Sequence, residues 1–231
     1  MSKTIIALDF SSKEEVVNFL KKFDEPVWVK IGMELTYAEG LSIVETVKAM
    51  GHHIFLDLKL HDIPNTVKGG MKNLAKLGVD MTNVHCAGGI AMMKAAREGL
   101  DAGAPEGQRP LLLGVTILTS ISKEAMNNEL GIEGEVLDTV VKYALNAKEA
   151  GLDGVVCSVH EAKAIREACG EDFCIVTPGI RLADDNVNDQ KRVATPAYAK
   201  EQGSSMLVVG RSITGAADPK ETYELIEGMM N

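Results

Sequence analysis

Along this chain, short apolar runs alternate with stretches of helical period. Lys3 to Asp9, Val27 to Gly32, His53 to Leu60 and Asp80 to Cys86 predict four strands in the first half. Pro110 to Ile117, Asp153 to Ser158, Phe173 to Thr177 and Met206 to Gly210 predict four more. Ser11-Ser12-Lys13-Glu14 resembles a capping box opening a helix to about Phe23. Apolar stripes then predict helices through Leu41, Ile43, Val44, Val47 and Met50, from about Val67 to Leu77, through Met92, Met93, Ala95, Ala96 and Leu100, and from Val136 to Ala150. Further helices are predicted from about Glu161 to Ala168, from Ala197 to Gln202 and from Asp218 to Met229. Leu118 to Ser122 predicts a polar turn, and Ile180 to Thr195, polar and without a sustained period, predicts a long loop of the kind that serves as a lid or stays disordered.

Eight β/α units of roughly 29 residues, in a chain slightly shorter than the ~250 residues usual for the class, predict a closed parallel (β/α)8 TIM barrel. The competing fold is a doubly wound open sheet, which usually carries Gly-x-Gly-x-x-Gly after the first strand. Here that turn reads Asp9-Phe10-Ser11-Ser12-Lys13. No linker or low-complexity run divides residues 1–231, so one domain is expected, with the loop around 178–195 as its candidate lid.

Composition narrows the partners. At 231 residues the chain is long enough for a sizeable core. A net charge of −9 without a basic run argues against nucleic acid or an anionic membrane. No stretch approaches the length of a membrane span and no signal-peptide pattern opens the chain, so a soluble, cytoplasmic protein is expected. Cys86, Cys157, Cys169 and Cys174 lack close paired spacing and read as small hydrophobes in a reducing compartment. The histidines His52, His53, His61, His85 and His160 form no His-x-His or His-x-x-x-His ligand pattern, so nothing suggests a catalytic metal.

The chemistry gathers at the end of the third predicted strand. By strand alternation Asp57 and Lys59 share one face, with Leu56, Leu58 and Leu60 on the other. Asp62 follows where strand gives way to loop, Pro64 ends the strand, and Asn65 or Thr66 is placed to cap the helix starting near Val67. A lone Asp-x-Lys is more often a solvated salt bridge than a site. A barrel changes that balance, because the C-terminal ends of all its strands converge on one mouth. Asp9, Lys30, Asp57, Lys59, His85, Thr119, Arg181 and Arg211 are all expected around it. Pro178-Gly179-Ile180-Arg181 and Gly210-Arg211-Ser212 stand after strands seven and eight, where such barrels often bind phosphate. Glycine admits backbone N–H groups to an anion, and arginine supplies a forked cationic donor.

Three segments together resemble one family. Asp57-x-Lys59-x-x-Asp62-Ile63-Pro64-Asn65-Thr66, the Pro178-Gly179-Ile180-Arg181 run leading to Asp189-Gln190-x-Arg192, and Val209-Gly210-Arg211 are similar to the orotidine 5'-phosphate decarboxylases. The resemblance spans essentially the whole chain. It implies removal of carbon dioxide from orotidine monophosphate to give uridine monophosphate, the last step of de novo pyrimidine nucleotide synthesis, with no metal or organic cofactor. It further implies that Lys59 protonates C6, with Asp57 and Asp62 flanking it and Lys30 completing an alternating charged array. Carboxylates beside an amine favour its ammonium form. By the same resemblance Asp9 and Lys30 contact the ribose hydroxyls, Thr119 links to the pyrimidine, and Arg181, Gln190, Gly210 and Arg211 take the phosphate. The resemblance also implies a homodimer in which Asp62 and Thr66 reach the neighbouring subunit's site. Two other readings stay open: a metal-dependent sugar-phosphate decarboxylase or epimerase of the same suprafamily, and a nucleotide-binding barrel without turnover.

Overall fold

The computed structural model describes residues 3–182 and 194–231. Its strands are β1 (Thr4–Ala7), β2 (Trp28–Ile31), β3 (His53–Leu60), β4 (Met81–His85), β5 (Leu111–Val115), β6 (Gly154–Val156), β7 (Cys174–Thr177) and β8 (Met206–Val209). Each pairs in parallel with the next and β8 returns to β1, with Ile5 opposite Val208, so the sheet closes on itself. The open-sheet alternative is thereby excluded. The predicted strands run one or two residues past these limits at most ends, where the flanking residues turn away into loops.

Alternation along each strand sorts the core into two parts. Ile5, Trp28, Phe55, Met81, Leu113, Val176, Met206 and Val208 form one buried cluster, the filling of the barrel. Residues on the opposite strand faces, such as Ile6, Val29, Ile54, Leu56, Val84, Leu112 and Ile175, pack with the helices in the second, larger cluster. The inward column matters for function. Continued toward the C-terminal ends, it changes from apolar to charged: Trp28 is followed by Lys30, and Phe55 by Asp57.

The outer layer contains α1 (Lys13–Leu20), α2 (Met33–Glu39), α3 (Ser42–Ala49), α4 (Pro64–Lys76), α5 (Gly89–Gly103), α6 (Lys123–Asn128), α7 (Val136–Glu149), α8 (Val159–Cys169), α9 (Pro196–Glu201), α10 (Arg211–Thr214) and α11 (Pro219–Met230). Ser12 caps α1 by accepting from the Glu15 N–H, with Glu15 supplying the return contact to the Ser11 N–H. α2, α6 and α10 are absent from the sequence reading because they are too short to display a period; α6 buries only Met126. The expected cap of α4 is also corrected. Pro64 occupies the first turn and Ile63 is the N-cap, so Asn65 and Thr66 lie inside the helix. Proline, read as a stop for the strand, is equally the start of the helix.

Helices α4 and α5 approach closely through glycine. A Cβ on Gly99 would lie 2.3 Å from the Lys68 carbonyl oxygen, and one on Gly103 would lie 2.1 Å from that of Lys72. Among the described residues, no helix is long and apolar enough to cross a membrane.

Candidate functional site

At the C-terminal end of the barrel lies a cavity of about 510 Å³. Ala7, Phe55, Val115, Val156 and Val208 make its apolar floor, which is the top of the barrel filling. Its polar wall holds Asp9, Lys30, Asp57, Lys59, Thr119, Arg181, Gly210 and Arg211, so these sequence-predicted residues do converge. Asp62 and Thr66 are exposed and lie outside this wall. Gln190 lies outside the described residues, as do Asp189, Arg192 and the middle of the expected 178–195 loop. His85 does not line the cavity; it is half-buried, its ring 5.5 Å from that of His61.

The four charged groups from the first three strands form a chain of contacts. Lys30 Nζ donates to Asp9 Oδ1 at 3.0 Å and lies 3.7 Å from Asp57 Oδ2. Lys59 Nζ donates to Asp57 Oδ1 at 2.7 Å. Burial pushes the Asp57 carboxyl up, but Lys30, Lys59 and the hydrogen bonds from Lys59 and Asn83 together hold it below the usual carboxylate range. Asp57 is therefore an anion fixed between two ammonium groups. In one chain, the array runs Asp9, Lys30, Asp57, Lys59; Asp62 instead accepts from the Ile63 N–H at 2.6 Å.

Asp57 and Lys59 meet as alternation predicts, yet the strand is not regular there. Leu56 pairs with Thr82, but the next pair is Leu60 with Val84, so β3 carries extra residues against β4. Lys59 sits at φ 53°, the one non-glycine residue with positive φ among the described residues. Such irregularities re-aim a side chain at a strand end. Nothing in the apolar pattern signals it. Asn83, wholly buried on β4, accepts from the Lys59 N–H at 2.8 Å and donates to Asp57 Oδ1 at 2.7 Å. Sequence reasoning missed it, although a single amide in the inward column of an apolar strand was the available signal.

The backbone at the mouth is shaped by two glycines. A Cβ on Gly32 would fall 2.9 Å from Lys30 Nζ and displace the ammonium group. Gly179, at φ 81°, takes the left-handed turn that leads to Arg181. The ends of the segment after β7 are then tied together: the Arg181 N–H donates to Ala194 O at 3.0 Å, and the Ala194 N–H to Gly179 O at 3.1 Å. On the β8 side, Arg211 opens α10 directly after Gly210.

Among the described residues, no group of three or more His, Cys, Asp or Glu is placed to hold a metal ion. Cys157 lies at the cavity wall, but burial drives its thiol well above the ordinary range and leaves it a poor nucleophile.

Comparisons with known proteins agree with this geometry. The sequence profile of the "Orotidine 5'-phosphate decarboxylase / HUMPS family" matches residues 2–226. An orotidine 5'-phosphate decarboxylase from Lysinibacillus sphaericus (strain C3-41) is 59% identical over 226 residues, covering 97% of each chain. One from Bacillus cytotoxicus is 58% identical over 230 residues, covering 98% of this chain and 97% of the relative. Among solved structures, an orotidine 5'-phosphate decarboxylase from Lactobacillus acidophilus superposes with a TM-score of 0.91 at 46% identity, both chains being covered fully. A crystal structure of an uncharacterized conserved protein from Geobacillus kaustophilus gives 0.89 at 50% identity, covering 99% of this chain and 100% of that one.

Proposed function

The chain belongs to the orotidine 5'-phosphate decarboxylase / HUMPS family, and we propose that Lys59 is the acid that delivers a proton to C6 of its nucleotide substrate. The protein is a carboxy-lyase that converts orotidine 5'-monophosphate to uridine 5'-monophosphate in pyrimidine biosynthesis. The observation that carries the proposed roles is the chain of opposed charges from Asp9 to Lys59 at the cavity mouth.

The bond from C6 to the carboxylate carbon breaks and carbon dioxide leaves. Its electron pair stays on C6 in the ring plane, where no adjacent carbonyl delocalises it. C6 then takes a proton from Lys59 Nζ, and the resulting amine is recharged from solvent. Fixed charge does the stabilising. A preorganised ammonium group needs no reorientation as negative charge develops, and this effect commonly supplies the largest share of an enzymatic rate. Asp57 holds Lys59 at 2.7 Å and faces the departing carboxylate, so repulsion between the two anions is relieved as carbon dioxide forms.

Asp9 and Lys30 are assigned to the ribose hydroxyls and Thr119 to the pyrimidine. Arg181, Gly210, Arg211 and Gln190 are assigned to the phosphate. Arg181 and Arg211 follow β7 and β8, the usual phosphate side of such barrels. A volume near 510 Å³ is within the range of small-ligand sites. Closure of the segment around 178–195 over the phosphate would let contacts far from C6 contribute to rate.

The working unit is a homodimer in which Asp62 and Thr66 complete the partner's site. Both are exposed and outside their own cavity, and the apolar side chain of Ile63, next to Asp62 in the chain, is exposed at 67%. The protein works in the cytoplasm. Addition of orotidine 5'-monophosphate should give loss of the orotate absorbance at equal rates with and without a chelator. Activity lost in chelator and restored by magnesium or zinc would favour the metal-dependent barrel reading instead, and binding without turnover would favour the sensor.

A further inference from the structure

Asn83 touches both halves of the proton-donating pair and does not line the cavity. We propose that it is a positioning residue whose two-handed grip sets the direction of the Lys59 side chain. The inference rests on the role assigned to Lys59.

Lysine at φ 53° is sterically disfavoured and persists only where its surroundings hold it. At this point the ladder between β3 and β4 is out of register, and the Lys59 N–H finds a side-chain acceptor, Asn83 Oδ1 at 2.8 Å. The other end of the same amide donates to Asp57 Oδ1 at 2.7 Å, the oxygen that also accepts from Lys59 Nζ at 2.7 Å. Lys59 is thus fixed twice through one residue: directly at its backbone, and at its ammonium group by way of Asp57. Only one amide orientation satisfies both contacts, because an N–H needs an acceptor and a carboxylate needs a donor. Asn83 is 0% exposed, so water cannot replace it without a cavity opening. Its charged partners are Asp57 and Lys59 of β3, and the titratable groups facing that pair are Lys30 of β2 and His85 further along β4, with His61 beside His85.

Two variants test the grip. Asn83→Ala removes both contacts, whereas Asn83→Asp keeps an acceptor for the Lys59 N–H and can donate to Asp57 only while its own carboxyl is protonated. With Asn83→Ala, kcat should fall by about 30-fold or more while affinity for uridine 5'-monophosphate stays within about threefold of wild type. Asn83→Asp should lose activity progressively as pH rises, a trend absent from the wild type, and hydrogen exchange at the Lys59 amide should accelerate in Asn83→Ala. The proposal is overturned if Asn83→Asp keeps the wild-type pH profile with kcat within about twofold. It is equally overturned if product affinity and kcat/KM fall together with no change in pH profile. Should Asn83→Ala not fold, Asn83→Asp alone decides. A wild-type protein inert toward orotidine 5'-monophosphate would instead remove the decarboxylase reading, leaving amide exchange as the test of the grip.

Discussion

At the scale of single residues, activity depends on which charges are held fixed at the cavity and which are reached from solvent. Lys59→Ala should cut turnover by far more than tenfold, a rise in the activation barrier of well over about 1.4 kcal/mol, while the chain stays folded. Turnover within tenfold of wild type would remove Lys59 as the acid. Arg211→Ala should weaken uridine 5'-monophosphate by about ten- to a hundredfold, or ~1.4–2.8 kcal/mol, and leave uridine nearly unchanged, as calorimetric titration would show. Equal losses for nucleotide and nucleoside would take the phosphate away from Arg211. Asp57 also links the site to stability. Burial raises its carboxyl pKa, but Lys30, Lys59 and Asn83 bring it below the unfolded value. A depressed folded value gives stability that is present above the unfolded pKa near about 3.9 and lost as pH falls through the folded one. Asp57→Asn should therefore flatten the acid limb of the pH–stability curve below about pH 4 in urea melts.

At the scale of elements, the strands were legible and their irregularities were not. His53–Leu60 was readable to the residue because Gly51 precedes an unbroken apolar run. The shift of register inside it was invisible, since it depends on how β3 meets β4 rather than on either sequence alone. The same holds for Asn83, whose role follows from two partners 24 and 26 residues away. Short helices escaped for another reason: α2 spans seven residues between Gly32 and Gly40, under two turns in which to show a stripe. The convergence of Asp9, Lys30, Asp57 and Lys59 was legible because a barrel brings strand ends together whatever their loops do. Packing of α4 on α5 offers a test at this scale. Gly99→Val would drive a side chain into the Lys68 carbonyl, which a Cβ alone approaches at 2.3 Å. It should cost about 1–3 kcal/mol of stability, measured by denaturant melts. No change would mean that the helices are not held this closely.

At the scale of the whole molecule, a closed barrel supplies a rigid rim, and in the proposed dimer Asp62 and Thr66 of one chain complete the rim of the other. Lys59→Ala and Asp62→Ala chains, each nearly inactive alone, should regain about a quarter of wild-type activity when mixed and allowed to exchange subunits, since half the dimers then carry one intact site. No recovery after demonstrated exchange would place Asp62 in its own chain's chemistry. The proton transfer itself can be watched in reverse, because the acid that protonates C6 of the product must also be able to remove that proton. In deuterium oxide, the wild-type protein should exchange the C6 hydrogen of uridine 5'-monophosphate for deuterium, and Lys59→Ala should not, as read by NMR of the recovered nucleotide. Exchange by Lys59→Ala at the wild-type rate would contradict the assignment of that proton to Lys59.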